Sequence, residues 1–452
     1  MAAPTTLSSP PTSAHTHWLF GDIPELRRDM LGWMLSRADE LGTIYSARLF
    51  RRKLTVITEP EYVKYVLQDN NRNYKKSFAY DILKLFLGNG LLTSESDFWL
   101  RQRRLAQPAF HRKRLNSLAH AMIEESMVWA ERWNKLPADQ TIDVHREMMD
   151  VTMRIVARTL FSTNVESHVP TISKNLGLLN DFAMDRVKNP IPPPTWLPTP
   201  RHLAFRRATE SINQVLFGII EARRGKTEGF DDLLSMLMEA RDADTGEQMN
   251  DLQLRDECMT IFVAGHETTA LTMSWIFHLL AHHPEVQELL AVELQEVLGD
   301  RPPILEDLKR LVYTRYVIDE ALRLYPPAWV FGRLSLGEDS IGGYHIEQDT
   351  NVLLLAYQVH RRPDLWDRPQ EFWPGRWATE KVKNRPRFAY FPFGGGPRLC
   401  IGNNFALMEM TFLLAALARG NRFQAVSPRH PRLDPLITLR SLDPIEVRRA
   451  ER

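Results

Sequence analysis

The chain has 452 residues, of which 44% are hydrophobic and 25% charged, so it can bury a large core as an ordinary globular protein. Lys and Arg total 57 against 56 for Asp and Glu, and this balance gives no electrostatic support for a nucleic-acid partner. The two cysteines, Cys258 and Cys400, lie far apart, which excludes a cysteine-rich zinc site and a disulfide framework and indicates a reducing compartment, the cytoplasm.

The N-terminal residues 1–17 are rich in Ala, Pro, Thr and Ser and are predicted to form a disordered lead-in. They lack the charged and apolar regions of a signal peptide. No stretch of the chain approaches the roughly 20 apolar residues needed to cross a bilayer, so no membrane anchor is expected.

The hydrophobic periodicity predicts a mainly α fold with a small β region. A helix is expected over residues 23–41, a hairpin over 43–58 and a short helix over 60–67. Residues 74–96 are predicted to form an aromatic, leucine-rich loop broken by glycines. Further helices are predicted from Phe98 and over 115–133, 144–160, 231–241 and 251–282, with strand-like pieces over 344–346, 351–357 and 436–440.

A proline-dense segment lies between Met184 and Arg201. Prolines at this density stop the helices on both sides. The segment is either a linker between domains or a lid loop that joins two long helices over a pocket. The flanking sequences both look amphipathic, which favours the lid.

The longest helical pattern, residues 251–282, carries Ala264-Gly265-His266-Glu267-Thr268-Thr269 in its middle. Gly costs about 1 kcal/mol inside a helix relative to Ala, and Thr hydroxyls can bond back to carbonyls. The sequence on either side is apolar, so this local weakness indicates a functional groove rather than a solvent-facing turn. His266 is interpreted as a structural polar residue that does not bind a metal.

A glycine-rich loop, Phe393-Gly-Gly-Gly-Pro-Arg-Leu-Cys-Ile-Gly402, leads into an apolar helical run from Phe405 to Leu417. The helix N-terminus favours S⁻ over S–H, so Cys400 suits a metal-bound thiolate. The glycines allow a tight turn and a close approach to a flat ligand, and Gly402 leaves room for the helix start. The Arg398 guanidinium can donate two parallel hydrogen bonds to a carboxylate.

The spacing Phe393-x-x-Gly396-x-Arg398-x-Cys400-x-Gly402 resembles the haem-binding signature of the cytochrome P-450 (haem-thiolate monooxygenase) family, in its soluble bacterial-type form. The resemblance implies the cytochrome P-450 fold, with haem b between the long central helix and the cysteine loop with its following helix. It makes residues 18–452 a single haem-thiolate monooxygenase domain. Cys400 is then the axial iron ligand, Phe393 packs near the thiolate, and Arg398 holds a haem propionate.

The resemblance also implies roles for residues elsewhere in the chain. Thr268 and Glu267 deliver protons, while Ala264 and Gly265 make room over the iron. Trp99, Arg103 and Arg333 hold haem propionates. Glu320 and Arg323, spaced i, i+3, form a buried ion pair with Arg376 of Phe372-Trp-Pro-Gly-Arg376. The implied substrate pocket is lined by Phe78, Leu87, Ala264, Thr268, Ala328, Val330 and Ile437.

The implied activity is insertion of one atom of O₂ into a lipophilic substrate, a fatty acid, terpenoid or steroid, by hydroxylation or epoxidation. Electrons then come from a separate ferredoxin or flavodoxin with its reductase, since no flavin or iron–sulfur domain is expected in the chain, and the protein is expected to be a monomer. A basic face for that acidic partner, or alternatively a scatter of solvated cations, is formed by Arg101, Arg104, Arg112, Lys113, Arg114, Arg361 and Arg362.

Two other classes of function use a similar haem site. Peroxide-driven oxygenases and hydroperoxide isomerases usually lack an acid–threonine pair, which is present here as Glu267-Thr268. A haem sensor or electron carrier has no use for a groove in the long helix or for an apolar lid.

Overall fold

The computed structural model describes residues 7–13, 17–49, 52–137, 140–162, 169–189, 192–225, 232–242 and 244–451. The helices are α1 (Ile23–Arg28), α2 (Met30–Leu41), α3 (Pro60–Lys64), α4 (Ala79–Leu87), α5 (Ser96–Ala106), α6 (Arg112–Asn134), α7 (Val144–Phe161), α8 (Val169–Lys188), α9 (Pro200–Arg223), α10 (Leu233–Glu239), α11 (Asp251–His282), α12 (Pro284–Leu298), α13 (Val312–Leu324), α14 (Ala356–Val359), α15 (Glu380–Lys383) and α16 (Asn403–Ala418). The strands are β1 (Ile44–Leu49), β2 (Arg52–Ile57), β3 (Tyr74–Lys76), β4 (Thr141–Asp143), β5 (Phe331–Ser335), β6 (Asp339–Ile341), β7 (Tyr344–Ile346), β8 (Asn351–Leu354), β9 (Asn421–Ala425), β10 (Leu433–Pro435), β11 (Leu439–Ser441) and β12 (Glu446–Glu451).

The largest sheet has the strand order β1-β2-β8-β5-β3. Its β1–β2 hairpin is antiparallel, while β2 and β8 run parallel. The antiparallel pairing of β3 with β5 places Lys76 opposite Arg333. A second sheet, β4-β12-β9, joins the C-terminal strand to the middle of the chain, and β10–β11 and β6–β7 are separate hairpins.

Helix α11 forms the centre of the helical core. Its N-terminus is fixed by a capping box, in which Asn250 and Gln253 each accept the other's backbone N–H at 2.9 Å. Most of its side chains are buried against α7, α9, α13 and α16. Helix α16 is apolar nearly all round and is buried from Met408 to Ala418, as expected for a helix enclosed by its neighbours.

Two predicted elements differ from the structure. The single helix over 23–41 is broken at Asp29, whose extended backbone and side chain cap α2 by accepting the Gly32 N–H at 2.9 Å. The loop predicted over 74–96 contains β3 and α4, because Leu83, Phe86 and Leu87 lie on one apolar face of a helical turn and become buried there.

The N-terminal lead-in predicted to be disordered is partly bound to the body of the protein. The carbonyl of Ser8 accepts the His345 N–H at 2.9 Å, and that of Pro11 accepts the Ser46 N–H at 2.8 Å. The prediction is therefore wrong for residues 7–13, since backbone pairing with β1 and β7 holds them. Residues 1–6 and 14–16 lie outside the described part of the chain.

The helices on either side of the proline-dense segment, α8 and α9, pack against each other. The rings of Phe182 and Phe205 stack with centroids 4.1 Å apart, and Asn175 Nδ2 donates to Ser211 Oγ at 3.1 Å. The two helices thus form one paired unit, which we call the α8–α9 pair. No helix among the described residues is long and apolar enough to cross a membrane.

Candidate active site

The cysteine loop is a tight turn that ends at the start of α16. Cys400 N–H donates to the Phe393 carbonyl at 3.0 Å, and Leu399 N–H donates to that of Gly396 at 3.1 Å. Cys400 is exposed, while desolvation by the surrounding protein raises the pKa of its thiol against the lowering by the Gly402 N–H and by the Arg103 guanidinium. A cation coordinated by the sulfur would favour the thiolate.

Two glycines of this loop are required by its geometry. Gly394 and Gly396 have φ of +72° and +64°, and a Cβ on Gly396 would lie 1.9 Å from the Leu67 carbonyl oxygen. Gly402 differs, because its φ is −89° and an added Cβ would lie 3.9 Å from Phe110. Gly402 contributes its N–H toward the Cys400 sulfur rather than the space at the helix start that the sequence suggested.

Helix α11 exposes a short face of small residues in the middle of an otherwise buried length. Ala264 is exposed and Gly265 and Thr268 are half-buried. The Thr268 hydroxyl donates to the Ala264 carbonyl at 2.8 Å, so its oxygen remains able to accept a hydrogen bond. A Cβ on Gly265 would lie 3.1 Å from Val156 Cγ2 of α7, so the missing side chain at Gly265 lets α7 approach closely.

Glu267 follows the small-residue face but is oriented toward different neighbours. Its carboxylate accepts hydrogen bonds from Arg440 Nη2 at 2.6 Å, Thr438 Oγ1 at 2.6 Å and Asn180 Nδ2 at 2.9 Å. Burial raises its pKa, but the Arg440 charge and the Thr438 hydroxyl outweigh burial and hold the pKa below its ordinary value. His266 Nδ1–H donates to the Phe262 carbonyl at 2.8 Å, which is a contact within the helix itself.

Two arginines lie at the cysteine loop: Arg398 is part of it, and Arg103 of α5 contacts it. Arg398 pairs with Glu95 at 2.5 Å and donates to the Ser94 carbonyl at 2.9 Å. Its guanidinium lies 3.7 Å from the centroid of the Trp99 ring, so Trp99 stacks on Arg398. Arg103 donates to the Leu399 carbonyl at 2.9 Å. Trp99 and Arg103 thus reach the loop through different contacts.

Positively charged side chains outnumber carboxylates around Arg398. Lys76 faces Arg333 across the β3–β5 pair, and like charges directly opposite each other destabilise a sheet. Burial is the main cause that holds the pKa of Lys76 well below its usual range. The charges of Arg398 and Arg333 lower this pKa further, and the Glu95 carboxylate opposes them. Among the described residues, the Glu95 carboxylate is the negative charge that acts on both Lys76 and Arg398. The surplus of cations fits an anionic ligand with carboxylate groups.

Sequence reasoning did not find Lys76 or Glu95. A lysine in Tyr74-Lys75-Lys76 has no spacing that separates it from a surface lysine. Only the register of β3 on β5 shows that Lys76 lies opposite Arg333.

Glu320, Arg323 and Arg376 are in direct contact in the core. Glu320 Oε1 lies 2.8 Å from Arg323 Nη2 and 2.8 Å from Arg376 Nε, and all three side chains are at most 2% exposed. The indole of Trp377 donates to the second carboxylate oxygen at 3.0 Å. Arg323 also donates to the His360 carbonyl at 2.8 Å. The cluster ties α13 to the segment that leads into the cysteine loop.

The structure gathers some of the predicted pocket residues. The Leu439 N–H donates to the Pro327 carbonyl at 2.9 Å, and the Trp329 indole donates to that of Leu436 at 2.8 Å. These bonds join the half-buried segment of Ala328 and Val330 to the turn that holds Ile437. The strand predicted over 436–440 begins only at Leu439, since residues 436–438 form the turn.

Ala264 and Thr268 lie on α11, and the last two predicted pocket residues, Phe78 and Leu87, are at opposite ends of α4. Leu87 is fully buried at the C-terminal end, where the next residues bond to α11. Phe78, at the N-cap, is 37% exposed and lines a surface groove of about 440 Å³ with Lys53 and Leu334. The residue before it, Ser77, donates its N–H to the Gly332 carbonyl of β5 at 3.4 Å.

The predicted basic face does not form as one surface. Arg361 is buried and stacks 3.7 Å from the Tyr357 ring centroid. Arg101 and Arg104 pair with Glu247 and Asp244, and Arg362 pairs with Glu59 and Asp364. The prediction is wrong for these four arginines, because they are buried or neutralised by carboxylates. Lys113 and Arg114 are exposed, and the Arg112 side chain lies outside the described part of the chain.

A long core helix with an exposed alanine and a half-buried threonine, followed by a cysteine loop at the start of a buried helix, is the arrangement of a haem-thiolate enzyme. Matching to known families agrees with this class: the profile described as Cytochrome P450 covers residues 10–440. The chain belongs to the cytochrome P450 family. The predicted mainly α fold with a small β region is confirmed.

Three curated relatives match most of the chain. Cyclooctat-9-en-7-ol 5-monooxygenase from Streptomyces melanosporofaciens is 34% identical, over 94% of this chain and 93% of the relative. Cyclooctatin synthase from the same organism is 37% identical, over 88% and 86%. Pentalenene oxygenase from Streptomyces avermitilis is 35% identical, over 83% of each chain. The chain is therefore a haem-dependent monooxygenase, and its thiol, surplus cations and small-residue face fit the haem of that family.

Proposed function

We propose that this enzyme inserts one atom of O₂ into a lipophilic, terpenoid-like substrate. The observation that carries the proposal is the small-residue face of Ala264, Gly265 and Thr268, which interrupts the otherwise buried length of helix α11. The relatives named for cyclooctat-9-en-7-ol and pentalenene support a terpenoid over a fatty acid or steroid. The pocket side chains Leu87, Ala328, Val330 and Ile437 are apolar, which suits such a molecule.

In this proposal the cofactor is haem b, which when bound supplies the activation of O₂ and the oxidation itself. Cys400 ligates the iron as a thiolate, and Phe393 packs beside the sulfur. Gly396 allows the loop to fold, and the Gly402 N–H faces the sulfur. The propionates are held by Arg103, Arg333 and Arg398, with Trp99 stacked on Arg398.

The proton-handling residues in this proposal are Thr268 and Glu267. The Thr268 hydroxyl donates to the Ala264 carbonyl, so its oxygen accepts a hydrogen bond from the group that carries the proton on the small-residue face of α11. Glu267 is the acid that supplies protons to that side. Ala264, which has only a methyl group, leaves room for O₂ and substrate beside Thr268.

We further propose that residues 18–452 act as one domain, as a monomer in the reducing cytoplasm. Both cysteines are free thiols, which supports a reducing compartment. Electrons come from a separate ferredoxin or flavodoxin with its reductase. Lys113, an exposed residue of α6, contacts that partner in this proposal.

The test uses the holoenzyme, a generic ferredoxin and reductase, and pentalenene under ¹⁸O₂. We expect one ¹⁸O atom per product molecule. Thr268→Ala should consume reductant but divert it to peroxide, lowering product per electron pair by about 10²-fold, the lower range for a positioned proton carrier. Thr268→Ser, which keeps the hydroxyl, should retain most of the coupling. Product oxygen derived from water or from added peroxide would contradict the proposal.

A further inference from the structure

Residues 88–95, which join α4 to α5 and which we call the 88–95 segment, are bonded to two adjacent carboxylates of α11. The Asn89 N–H donates to Asp256 Oδ2 at 2.7 Å. The Leu91 N–H donates to Glu257 Oε2 at 3.0 Å, and the Glu257 side chain is buried, with 1% of the residue exposed. The first half of the segment is therefore fixed to the central helix through its backbone.

Two glycines allow this close approach to α11. A Cβ on Gly88 would lie 2.2 Å from Asp256 Oδ1, and a Cβ on Gly90 would lie 2.3 Å from Thr260 Oγ1. Thr260 and Ala264 are four residues apart and so lie on one face of the helix. The segment thus contacts α11 one turn before its small-residue face.

Lys76 of β3 bonds to the same segment from a second element. Its ammonium group donates to the Leu91 carbonyl at 3.2 Å and also to that of Leu92. Its backbone N–H donates to Glu95 Oε1 at 3.0 Å. Leu91 is therefore held between two buried charged residues, with its N–H bonded to Glu257 and its carbonyl to Lys76.

The end of the 88–95 segment contacts Arg398 of the cysteine loop. The Ser94 carbonyl accepts a hydrogen bond from Arg398 Nη1 at 2.9 Å, and Glu95 Oε2 lies 2.5 Å from Arg398 Nη2. Both partners of the guanidinium are within four residues of Leu91 along the chain. The position of the segment therefore sets the position of the Arg398 side chain.

The surroundings of Glu257 make its ionisation sensitive to opening of the segment. Burial is the largest influence and raises the pKa of Glu257 to about 7. The charge of Asp256, which pairs with Arg255 of the same helix at 2.8 Å, adds to the rise. The contributions that lower the pKa come from the Leu91 N–H, Gln102 of α5 and Lys76 of β3. Access of water to the carboxylate would remove the effect of burial and return the pKa toward 4.5.

We propose that Glu257 is a positioning residue that, together with Lys76, fixes the 88–95 segment between α11 and β3 and so sets the place of Arg398 at the cysteine loop. The proposal deepens the function proposed above, because it rests on Arg398 as a residue that holds a haem propionate. Glu257 acts through Leu91 and the segment, whereas Arg398 is the residue that contacts the haem.

Hydrogen–deuterium exchange of the holoenzyme, followed by mass spectrometry on peptides that cover residues 88–95, measures how often the segment opens. Since the pKa of Glu257 is lower in the open state, opening becomes more favourable as the pH rises from 4.5 to 7. After correction for the intrinsic exchange rate, exchange should increase by up to about 10²-fold over this range and stay level above pH 7. Glu257→Gln keeps an acceptor oxygen but does not titrate, so this dependence on pH should disappear.

A second variant removes the acceptor itself. Glu257→Leu leaves the Leu91 N–H buried without a partner, so the segment should exchange about 10-fold faster or more at every pH. The matched control is Asp251→Asn, which changes an exposed acid of the same helix that pairs with Arg224 and should leave the exchange as in the wild type. Unchanged exchange in Glu257→Leu, or a wild-type dependence on pH in Glu257→Gln, would overturn the proposal.

The link to Arg398 is measured by the rate of haem transfer from the holoenzyme to excess apomyoglobin. Arg398→Gln and Glu257→Leu should each raise this rate. In the double variant the two increases should not multiply, because Glu257 acts through Arg398. An increase equal to the product of the two single effects would overturn the link. Neither measurement requires turnover, so failure of the ¹⁸O₂ experiment would remove the proposed function while exchange and haem transfer still decide this proposal.

Discussion

Glu320→Ala is expected to destabilise the protein by about 3–5 kcal/mol and to prevent it from retaining haem. The substitution leaves the guanidinium groups of Arg323 and Arg376 in the core, where their side chains are at most 2% exposed, without the carboxylate that neutralises them. Removing one member of a buried ion pair costs more than the pair contributes, because the remaining charge has no water to solvate it. The segment of Arg376 leads to the cysteine loop, so its displacement should also disturb the haem ligand.

The matched control is Glu371→Ala, in the same part of the chain. Its side chain is 58% exposed and pairs with Arg368 at 3.1 Å, so its loss should cost no more than about 1 kcal/mol. The measurements are the haem-to-protein ratio of the purified variants and the free energy of unfolding from denaturant titration. Wild-type haem content in Glu320→Ala would show that the cluster is not needed to hold the site.

Gly396→Ala is the second change with a large expected effect. The added methyl carbon would lie 1.9 Å from the backbone oxygen of Leu67, and that oxygen belongs to a helical turn that cannot rotate away like a side chain. The φ of +64° adds a strain of about 1–3 kcal/mol for a residue other than glycine. The cysteine loop should therefore be displaced, with loss of haem and a lower unfolding temperature.

Gly402→Ala provides the comparison within the same motif. Its φ is −89° and its added Cβ would have only an ordinary contact with Phe110, so the protein should fold with a stability change within about 1 kcal/mol. Differential scanning calorimetry and haem content measure both variants. Equal losses in the two variants would mean that the glycines act through a shared property of the motif rather than through the contact with Leu67.

Local spacing predicted the parts of the site that lie within one segment. The limits of α11, Asp251–His282, agree with the helical pattern, because the capping residue Asn250 and the terminating Pro284 are adjacent in sequence. The contact of Glu320 with Arg323 follows from i, i+3 spacing on α13. These features depend on residues within a few positions of each other.

The parts that sequence reasoning missed depend on distant segments. Lys76 lies opposite Arg333 only because β3 pairs with β5, which follows more than 250 residues later in the chain. Arg440 and Asn180 meet Glu267 from β11 and α8. No spacing along the chain encodes such contacts, and charge alone did not distinguish Arg361, which is buried against Tyr357, from a surface arginine.

The central claim is that the sulfur of Cys400 binds the haem iron, and the optical spectrum of the reduced carbon-monoxide complex tests it most directly. The wild-type holoprotein should show the red-shifted main band of thiolate coordination. Cys400→His, which offers imidazole at the same position, should lose that band if it retains haem, whereas Cys258→Ala, at the buried second thiol, should keep it. A wild-type band at the position typical of imidazole coordination, in undamaged protein, would contradict the account.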